Sequence, residues 1–424
     1  MEIYHEATEY LSPVWVPYTD IIADHGSGCW IYDIHGERYL DFTCGIGVTN
    51  TGHCHPAVVE AIQKQAASLI HGQINIVRHK PILELASELR TIVPPEINRF
   101  FFTNSGAEAI EGALKLARHA TKRPNIIVFQ GSFHGRTIAT SSMTTSKTIY
   151  RSGYQPLMPG VFVAPYPYAY RYGWDEERTS QWCLEELEFL LASQTAPEET
   201  AAIFIEPVLG EGGYVVPPKS YIQGLRKVCD QYGILLVTDE IQAGFGRTGK
   251  WFSFEHFGIL PDIMTVAKGL ASGMPLAGVF SRKEIMDKWV PGSHGGTYGG
   301  NAVSTAAAVA TIKAMKKENM LQNAQIRGAQ LMDGLKQIQR DFPVIGDVRG
   351  LGLMIGVEFS IPNRKPDKKT AKAVLHACLD QKLLLLTCGT WDNTIRWIPP
   401  LIVNEDEINQ ALKIFRQALD IVVK

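Results

Sequence analysis

Between residues 98 and 268, six apolar runs of strand length alternate with helical stretches, and three of those runs end in charged groups. Ala202-Ile-Phe-Ile205 runs into Glu206-Pro207, Ile234-Leu-Leu-Val-Thr238 into Asp239-Glu240, and Ile263-Met-Thr-Val-Ala267 into Lys268. The earlier strands are expected over 98–103, 125–130 and 160–165, with helices over 56–69, 107–121, 182–192 and 219–232. Near-continuous apolar strands separated by helices predict a mostly parallel sheet covered on both faces. Such sheets bind ligands outside the carboxyl ends of their strands. Glu206, Asp239 and Lys268 are placed there.

The ends of the chain read differently. Trp30 to Asp33 and Arg38 to Phe42 form a hairpin pattern turning at Ile34-His-Gly-Glu37. After helices over 302–318 and 323–342 come a glycine-punctuated strand over 348–359, a helix over 369–381 and strands over 383–387 and 394–398. The last helix starts at Asn404, with Glu407 as capping-box partner. This predicts an N-terminal segment (1–55), a large domain (56–310) and a smaller α+β domain (311–424), with the boundary inside the 302–342 helices. A length of 424 residues agrees with more than one domain.

Composition narrows the function class. A net charge of −2 gives no reason to expect a nucleic-acid or membrane partner, and no run reaches the roughly 18 apolar residues of a membrane span. Seven scattered cysteines without a CxxC pair indicate neither a disulfide framework nor a zinc ribbon, which favours a reducing, cytoplasmic setting. The N-terminus lacks an apolar signal core.

A strand-end lysine with an aspartate from the neighbouring strand points to a Schiff-base lysine and the partner of a pyridinium nitrogen, which is pyridoxal phosphate chemistry. Thr103-Asn-Ser-Gly106-Ala107-Glu108 opens a helix after a strand, where free amides and the helix dipole attract phosphate; a plain cap by Ser105 is the simpler alternative. Gly131-Ser-Phe133-His134-Gly135-Arg136-Thr137 offers Phe133 to stack on a flat ring and Arg136 to hold a carboxylate, against a solvated turn. Gly244-Phe-Gly-Arg-Thr-Gly249-Lys250 nearly matches a nucleotide P-loop but fails at Trp251, where magnesium binding needs Ser or Thr. His53-Cys54-His55, with Cys44 upstream, has no second cluster to complete a metal site, so no metal is expected.

Together these strings resemble the class III (ω-family) pyridoxal-phosphate-dependent aminotransferases, and most nearly the 4-aminobutyrate aminotransferases. The carrying strings are Asn50-Thr-Gly-His53, Asn104-Ser-Gly-Ala-Glu-Ala109, Phe133-His-Gly-Arg-Thr137, Glu206-Pro-Val-Leu-Gly-Glu-Gly-Gly213, Asp239-Glu-Ile-Gln-Ala-Gly-Phe-Gly-Arg-Thr-Gly249, Ala267-Lys268-Gly269, Gly296-Thr297-Tyr-Gly-Gly-Asn301 and Ile395-Arg396-Trp-Ile-Pro-Pro400. The resemblance implies fold-type I: a mostly parallel sheet in a large domain, with a smaller α+β domain built from the C-terminal part and the N-terminal segment. It implies a homodimer or higher even oligomer with active sites between subunits.

The same resemblance implies roles. Lys268 would bond covalently to pyridoxal 5′-phosphate and later move the substrate proton. Asp239 would pair with the pyridine nitrogen, Gln242 with the ring hydroxyl, and Phe133 would stack on the ring, with His134 and Glu206 also at the cofactor. Gly106 and Ala107, with Thr297 of the neighbouring subunit, would hold the phosphate. Ile46, Arg136, Glu211 and Arg396 would form the substrate pocket, with Arg396 paired to Glu211 as a gate. An ω-amine fits while the pair is closed, and the α-carboxylate of glutamate takes Arg396 when it opens. Ile46 stands where ornithine-type enzymes place a Tyr. The implied reaction moves the amino group of an ω-amino acid, 4-aminobutyrate first, to 2-oxoglutarate. Acetylornithine-type or broad ω-aminotransferases, and amino-acid racemases or epimerases, share most of the strings. Gln73 and the aromatic run Tyr166 to Trp174 stand apart from the pattern; the rings of that run would admit a bulkier donor if they line the pocket, and equally read as a surface loop packing on the partner subunit.

Overall fold

A computed structural model of the chain describes residues 7–423. Three strands open it: β1 (Ala23–Ser27), β2 (Trp30–Asp33) and β3 (Arg38–Asp41), paired antiparallel in that order. The central sheet follows, with β4 (Arg99–Thr103), β5 (Asn125–Phe129), β6 (Val161–Ala164), β7 (Thr200–Ile205), β8 (Leu235–Asp239), β9 (Ile263–Val266) and β10 (Ala277–Ser281). Its order is β4-β10-β9-β8-β7-β5-β6.

The strands β9, β8, β7, β5 and β6 pair in parallel, as the apolar runs predict. β10 was not expected. It pairs antiparallel with both β4 and β9. A parallel return needs a crossover of a dozen or more residues, and the chain between Val266 and Ala277 carries only a single turn of 3₁₀ helix. Every residue of β7 is buried, because apolar clusters cover both sheet faces. A helix over Lys80–Leu89 was likewise not expected, while Glu176–Ser193 starts earlier than expected.

The C-terminal part builds its own sheet. β11 (Ile345–Leu351) and β12 (Met354–Ile361) form an antiparallel hairpin where one strand was expected over 348–359. The turn is made at Gly352, with φ of 54°, and a Cβ there would lie 2.5 Å from the backbone of Thr248. The glycines that seemed to punctuate a strand therefore fold it back. β13 (Lys365–Pro366) pairs with β12, β14 (Leu383–Leu384) joins β3 in parallel, and β15 (Leu386–Cys388) and β16 (Thr394–Trp397) complete the sheet. The N-terminal segment and the C-terminal part thus share a sheet. The final helix, Glu405–Val423, has the expected box, with Asn404 and Glu407 exchanging side chain-to-backbone bonds of 2.9 and 3.0 Å.

The helix Ala302–Lys317 packs on Pro56–Ala66 and Lys80–Leu89, whereas Met320–Asp341 packs on β11 and the final helix. We propose that the division between the two parts lies at Glu318–Asn319, since a boundary at 310/311 would cut the first of these helices. Among the described residues no helix is long and apolar enough to cross a membrane.

Candidate active site

The carboxyl ends of β7, β8 and β9 stand level. Ile205 pairs with Thr238, and Asp239 with Thr265, so Glu206, Asp239 and Lys268 leave the sheet side by side. All three line one cavity of about 560 Å³. Lys268 has a φ of 45°, the left-handed region that costs a non-glycine residue about 1 kcal/mol or more and that recurs at functional sites. No hydrogen bond or ion pair to the described residues engages its amine. Burial lowers its pKa from the ordinary lysine value, against the attraction of Asp239 and Glu206.

Asp239 and His134 are both buried. Asp239 Oδ2 lies 2.8 Å from His134 Nδ1, and Oδ1 accepts the amide of Ile241 at 3.0 Å. Burial alone would lower the His134 pKa, but the bond and charge of Asp239 raise it. His134 Nε2 and Gln242 Oε1 are buried polar atoms without a hydrogen-bond partner among the described residues, and both side chains line the cavity. Glu206 uses both oxygens on backbone amides, Oε1 accepting from Phe133 and Oε2 from Gly210, each at 2.8 Å. It thereby ties the loop after β5 to the loop after β7. Burial pushes its pKa up to about 7.

Ser105 caps the helix Gly106–Thr121, accepting the amide of Glu108 at 3.3 Å, so the plain cap is real. The same helix end also lines the cavity with Asn104, Ser105, Gly106 and Ala107. A Cβ on Gly106 would meet the Ile241 side chain at 2.9 Å, so the bare glycine lets this end sit close against the strand-end loop. Phe133, Gly135 and Arg136 line the wall, as do Ile46, Glu211 and Arg396.

Arg136 stacks its guanidinium 4.7 Å from the ring centre of Tyr150 and 5.9 Å from that of Phe133. Arg396, on β16, lies with Nη1 3.1 Å from Glu211 Oε2, and only 3% of the arginine side chain is exposed. Glu211 Oε1 accepts from Lys147 at 2.9 Å and from Tyr150 at 3.1 Å. Burial would raise the Glu211 pKa, but Arg396 and Lys147 hold it below the ordinary carboxylate value.

Thr297 is exposed and is not among the residues lining this cavity. Gln73 bonds the amide of Asn75 at 2.7 Å and is likewise outside it. The aromatic run does not widen the pocket either. Tyr166 donates to the carbonyl of Glu206, Tyr168 bonds Glu358 and Tyr170 bonds Ser360 of β12. It is a strut between the central and C-terminal sheets.

The near-P-loop is also a strut. Arg247 is fully buried, donates to the carbonyls of Leu353 and Pro399, and bonds Asn50 Oδ1 at 2.7 Å. His53 bonds Asp41 at 2.8 Å and His55 bonds Glu318 at 3.0 Å. Lys147, Tyr150 and Tyr18 carry no local sequence signal that places them here; Tyr18, an exposed ring from the N-terminal segment, also lines the cavity.

Pyridoxal phosphate fits these residues. Two unpartnered polar atoms on its expected neighbours, a helix N-terminus for its anion, a carboxylate at the sheet end and an unengaged amine of lowered pKa are the donor set it requires. Known proteins agree. The family model "Aminotransferase class-III" matches residues 11–419. The chain is 40% identical to the probable 4-aminobutyrate aminotransferase of Bacillus subtilis strain 168, over 94% of this chain and 92% of the relative. It is 41% identical to the 4-aminobutyrate aminotransferase GabT of Escherichia coli strain K12, over 94% and 93%. An amine transaminase structure from an uncultivated Pseudomonas species, in its pyridoxal-phosphate-bound form, superposes with a TM-score of 0.92 at 29% identity, covering 97% of this chain and 99% of that one. The chain therefore belongs to the class III aminotransferases, fold-type I enzymes that work with pyridoxal 5′-phosphate.

Proposed function

We propose that this aminotransferase moves the amino group of an ω-amino acid, 4-aminobutyrate first among them, to 2-oxoglutarate. The observation that carries this reading is the Arg396–Glu211 ion pair at 3.1 Å in the wall of the Lys268 cavity. Closed, the pair presents no net charge to a donor that has no α-carboxylate. Opened, Arg396 meets the α-carboxylate of glutamate or 2-oxoglutarate with the planar fork that suits a carboxylate. Arg136, also in the wall, holds the distal carboxylate that both substrates possess. Two 4-aminobutyrate aminotransferases among the relatives support the choice of donor.

The bound cofactor supplies an electron sink for the carbon that loses its proton. Lys268 is the catalytic amine; its lowered pKa lets it shed a proton and then accept one from the substrate carbon. Asp239 would pair with the pyridine nitrogen, and His134 holds the Asp239 carboxylate in place through the 2.8 Å bond. Phe133 would stack on the ring, and Gln242, whose buried Oε1 has no partner among the described residues, would meet its hydroxyl. Glu206 fixes the loops that carry Phe133 and Glu211. Gly106 and Ala107 take the phosphate, together with Thr297 of a second copy in a homodimer or higher even oligomer; the exposed Thr297–Tyr298 stretch supports that assignment. All seven cysteines are free, and six are buried, which supports a reducing, cytoplasmic setting.

The test is a panel of amine donors, including 4-aminobutyrate, 5-aminovalerate and acetylornithine, each assayed with 2-oxoglutarate and with pyruvate. Turnover of 4-aminobutyrate with 2-oxoglutarate and little with pyruvate is expected. Conversion of a chiral amino acid into its enantiomer without any keto acid would establish a racemase instead.

A further inference from the structure

The Glu211 carboxylate is held more firmly on its far side than at the gate. Its Oε1 accepts two hydrogen bonds, from Lys147 Nζ at 2.9 Å and Tyr150 at 3.1 Å. Its Oε2 faces Arg396 at 3.1 Å, but Arg396 Nη1 and Nε make no hydrogen bond among the described residues. The gate contact is thus charge attraction without directed bonding. Lys147 is itself anchored. Its Nζ lies 2.5 Å from Asp392 Oδ1, and Asp392 Oδ2 takes Lys368 at 2.8 Å. Charges alternate from the cavity outward: Arg396, Glu211, Lys147, Asp392, Lys368. Arg396 and Asp392 come from the β15–β16 region of the C-terminal sheet, while Glu211 and Lys147 come from loops of the central sheet.

A buried carboxylate that leaves its only cation is left unpaired at high cost. Here the second cation is already bonded, so Glu211 can withdraw from Arg396 without losing its counter-charge. Lys147 and Glu211 each keep 14% of their side-chain surface exposed, so desolvation makes that pairing matter. We propose that Lys147, anchored by Asp392, is a positioning residue that sets the ease with which Glu211 yields Arg396, and so tunes acceptance of α-carboxylate substrates over ω-amines. The inference rests on the Arg396–Glu211 gate of the proposed function. Burial would lower the Lys147 pKa, but Glu211 and Asp392 raise it above the ordinary lysine value, so the cation persists across the working pH range.

Lys147→Met leaves Glu211 with Arg396 as its sole cation and should close the gate more tightly. Glutarate, an unreactive dicarboxylate, reports gate opening by calorimetry on the holoenzyme. Its affinity should fall about tenfold in Lys147→Met, equivalent to roughly 1.4 kcal/mol. The KM for 2-oxoglutarate should rise by a similar factor with a smaller change in kcat, while the ω-amine half-reaction falls far less. Lys147→Arg, which keeps the cation, should hold glutarate affinity within about threefold of the parent. In a Glu211→Gln background the Lys147→Met loss should vanish, because Lys147 acts through Glu211. Unchanged glutarate binding in Lys147→Met, equal losses in both half-reactions, or a loss that persists without Glu211 would overturn the proposal. Arg396→Ala, measured in parallel, separates the two levels. If it loses glutarate and Lys147→Met does not, the gate stands and Lys147 has no part in it. If it also leaves glutarate binding unchanged, the gate itself falls and this inference with it.

Discussion

His134 Nδ1 and Asp239 Oδ2 lie 2.8 Å apart with both side chains buried, although 105 residues separate them in the chain. One comes from the loop after β5 and the other from the end of β8, so the bond fixes the carboxylate at the head of the sheet. A buried carboxylate held this way keeps one geometry as substrates exchange, which is what an electrostatic partner of a ring nitrogen needs.

Asp239→Asn should therefore retain pyridoxal phosphate but lose at least a hundredfold in single-turnover rate. The amide can still meet His134, so the fold is spared, but the negative charge is gone. Each ~1.4 kcal/mol of lost stabilisation is a factor of ten. Stopped-flow absorbance with a saturating donor measures it; a near-normal rate would reduce Asp239 to a structural role.

Lys268→Ala should abolish turnover and the covalent link to the cofactor. The motivation is the unengaged amine in the cavity and its strained backbone at φ of 45°. Borohydride reduction followed by peptide mass mapping should place the cofactor on Lys268, and a label on any other lysine would sink the assignment.

The meeting of Glu206, Asp239 and Lys268 at the strand ends was legible because its signal is local: an apolar run, then a charge, then glycines. The same locality explains the misses. Nothing near Lys147 announces a partner 64 residues away in Glu211, and the Asp392 anchor arrives from another sheet altogether. β10 was missed because a short apolar run after Pro275 has no periodicity of its own; its place between β4 and β9 is set by pairing. The Tyr166–Trp174 stretch reads equally well as a pocket wall or a surface loop. Only the bonds of Tyr168 to Glu358 and Tyr170 to Ser360 make it a strut.

Glu206 gives a pH signature. Its folded pKa is raised to about 7 from the 4.5 of the free group, because burial disfavours its charge. The folded state therefore binds this proton more tightly than the unfolded chain. The resulting stability is fully present below about pH 4.5 and is lost as pH climbs through 7. His134, also raised, contributes with the same sign. Melting temperatures of cofactor-depleted protein should fall across this window, and Glu206→Gln should flatten the slope. An identical slope in the variant would show that Glu206 does not carry it.

Thr297→Ala should weaken cofactor retention, and so should any change that separates subunits. Thr297 is exposed and outside its own chain's cavity, so the proposed phosphate contact requires a second copy. Ultracentrifugation coupled to assay tests this; a fully active monomer would refute it.

Arg396→Ala should separate the two half-reactions. Without the guanidinium, the α-carboxylate of glutamate or 2-oxoglutarate enters a wall whose remaining nearby acid is Glu211. That acid is not stranded, because Lys147 and Tyr150 still bond its Oε1 at 2.9 and 3.1 Å. The protein should accordingly fold, and the loss should fall on substrate rather than on stability. Losing the partner of a desolvated carboxylate costs roughly 3 kcal/mol, so the glutamate half-reaction should drop by about a hundredfold or more. The ω-amine half-reaction presents no α-carboxylate and should change much less. Removing the positive charge also leaves Lys268 with one repelling neighbour fewer, so its pKa should move up toward the ordinary lysine value. Single-turnover spectroscopy of each half-reaction across pH reads both effects. Equal losses in the two half-reactions would remove the gate and return the broad ω-aminotransferase and racemase alternatives to contention.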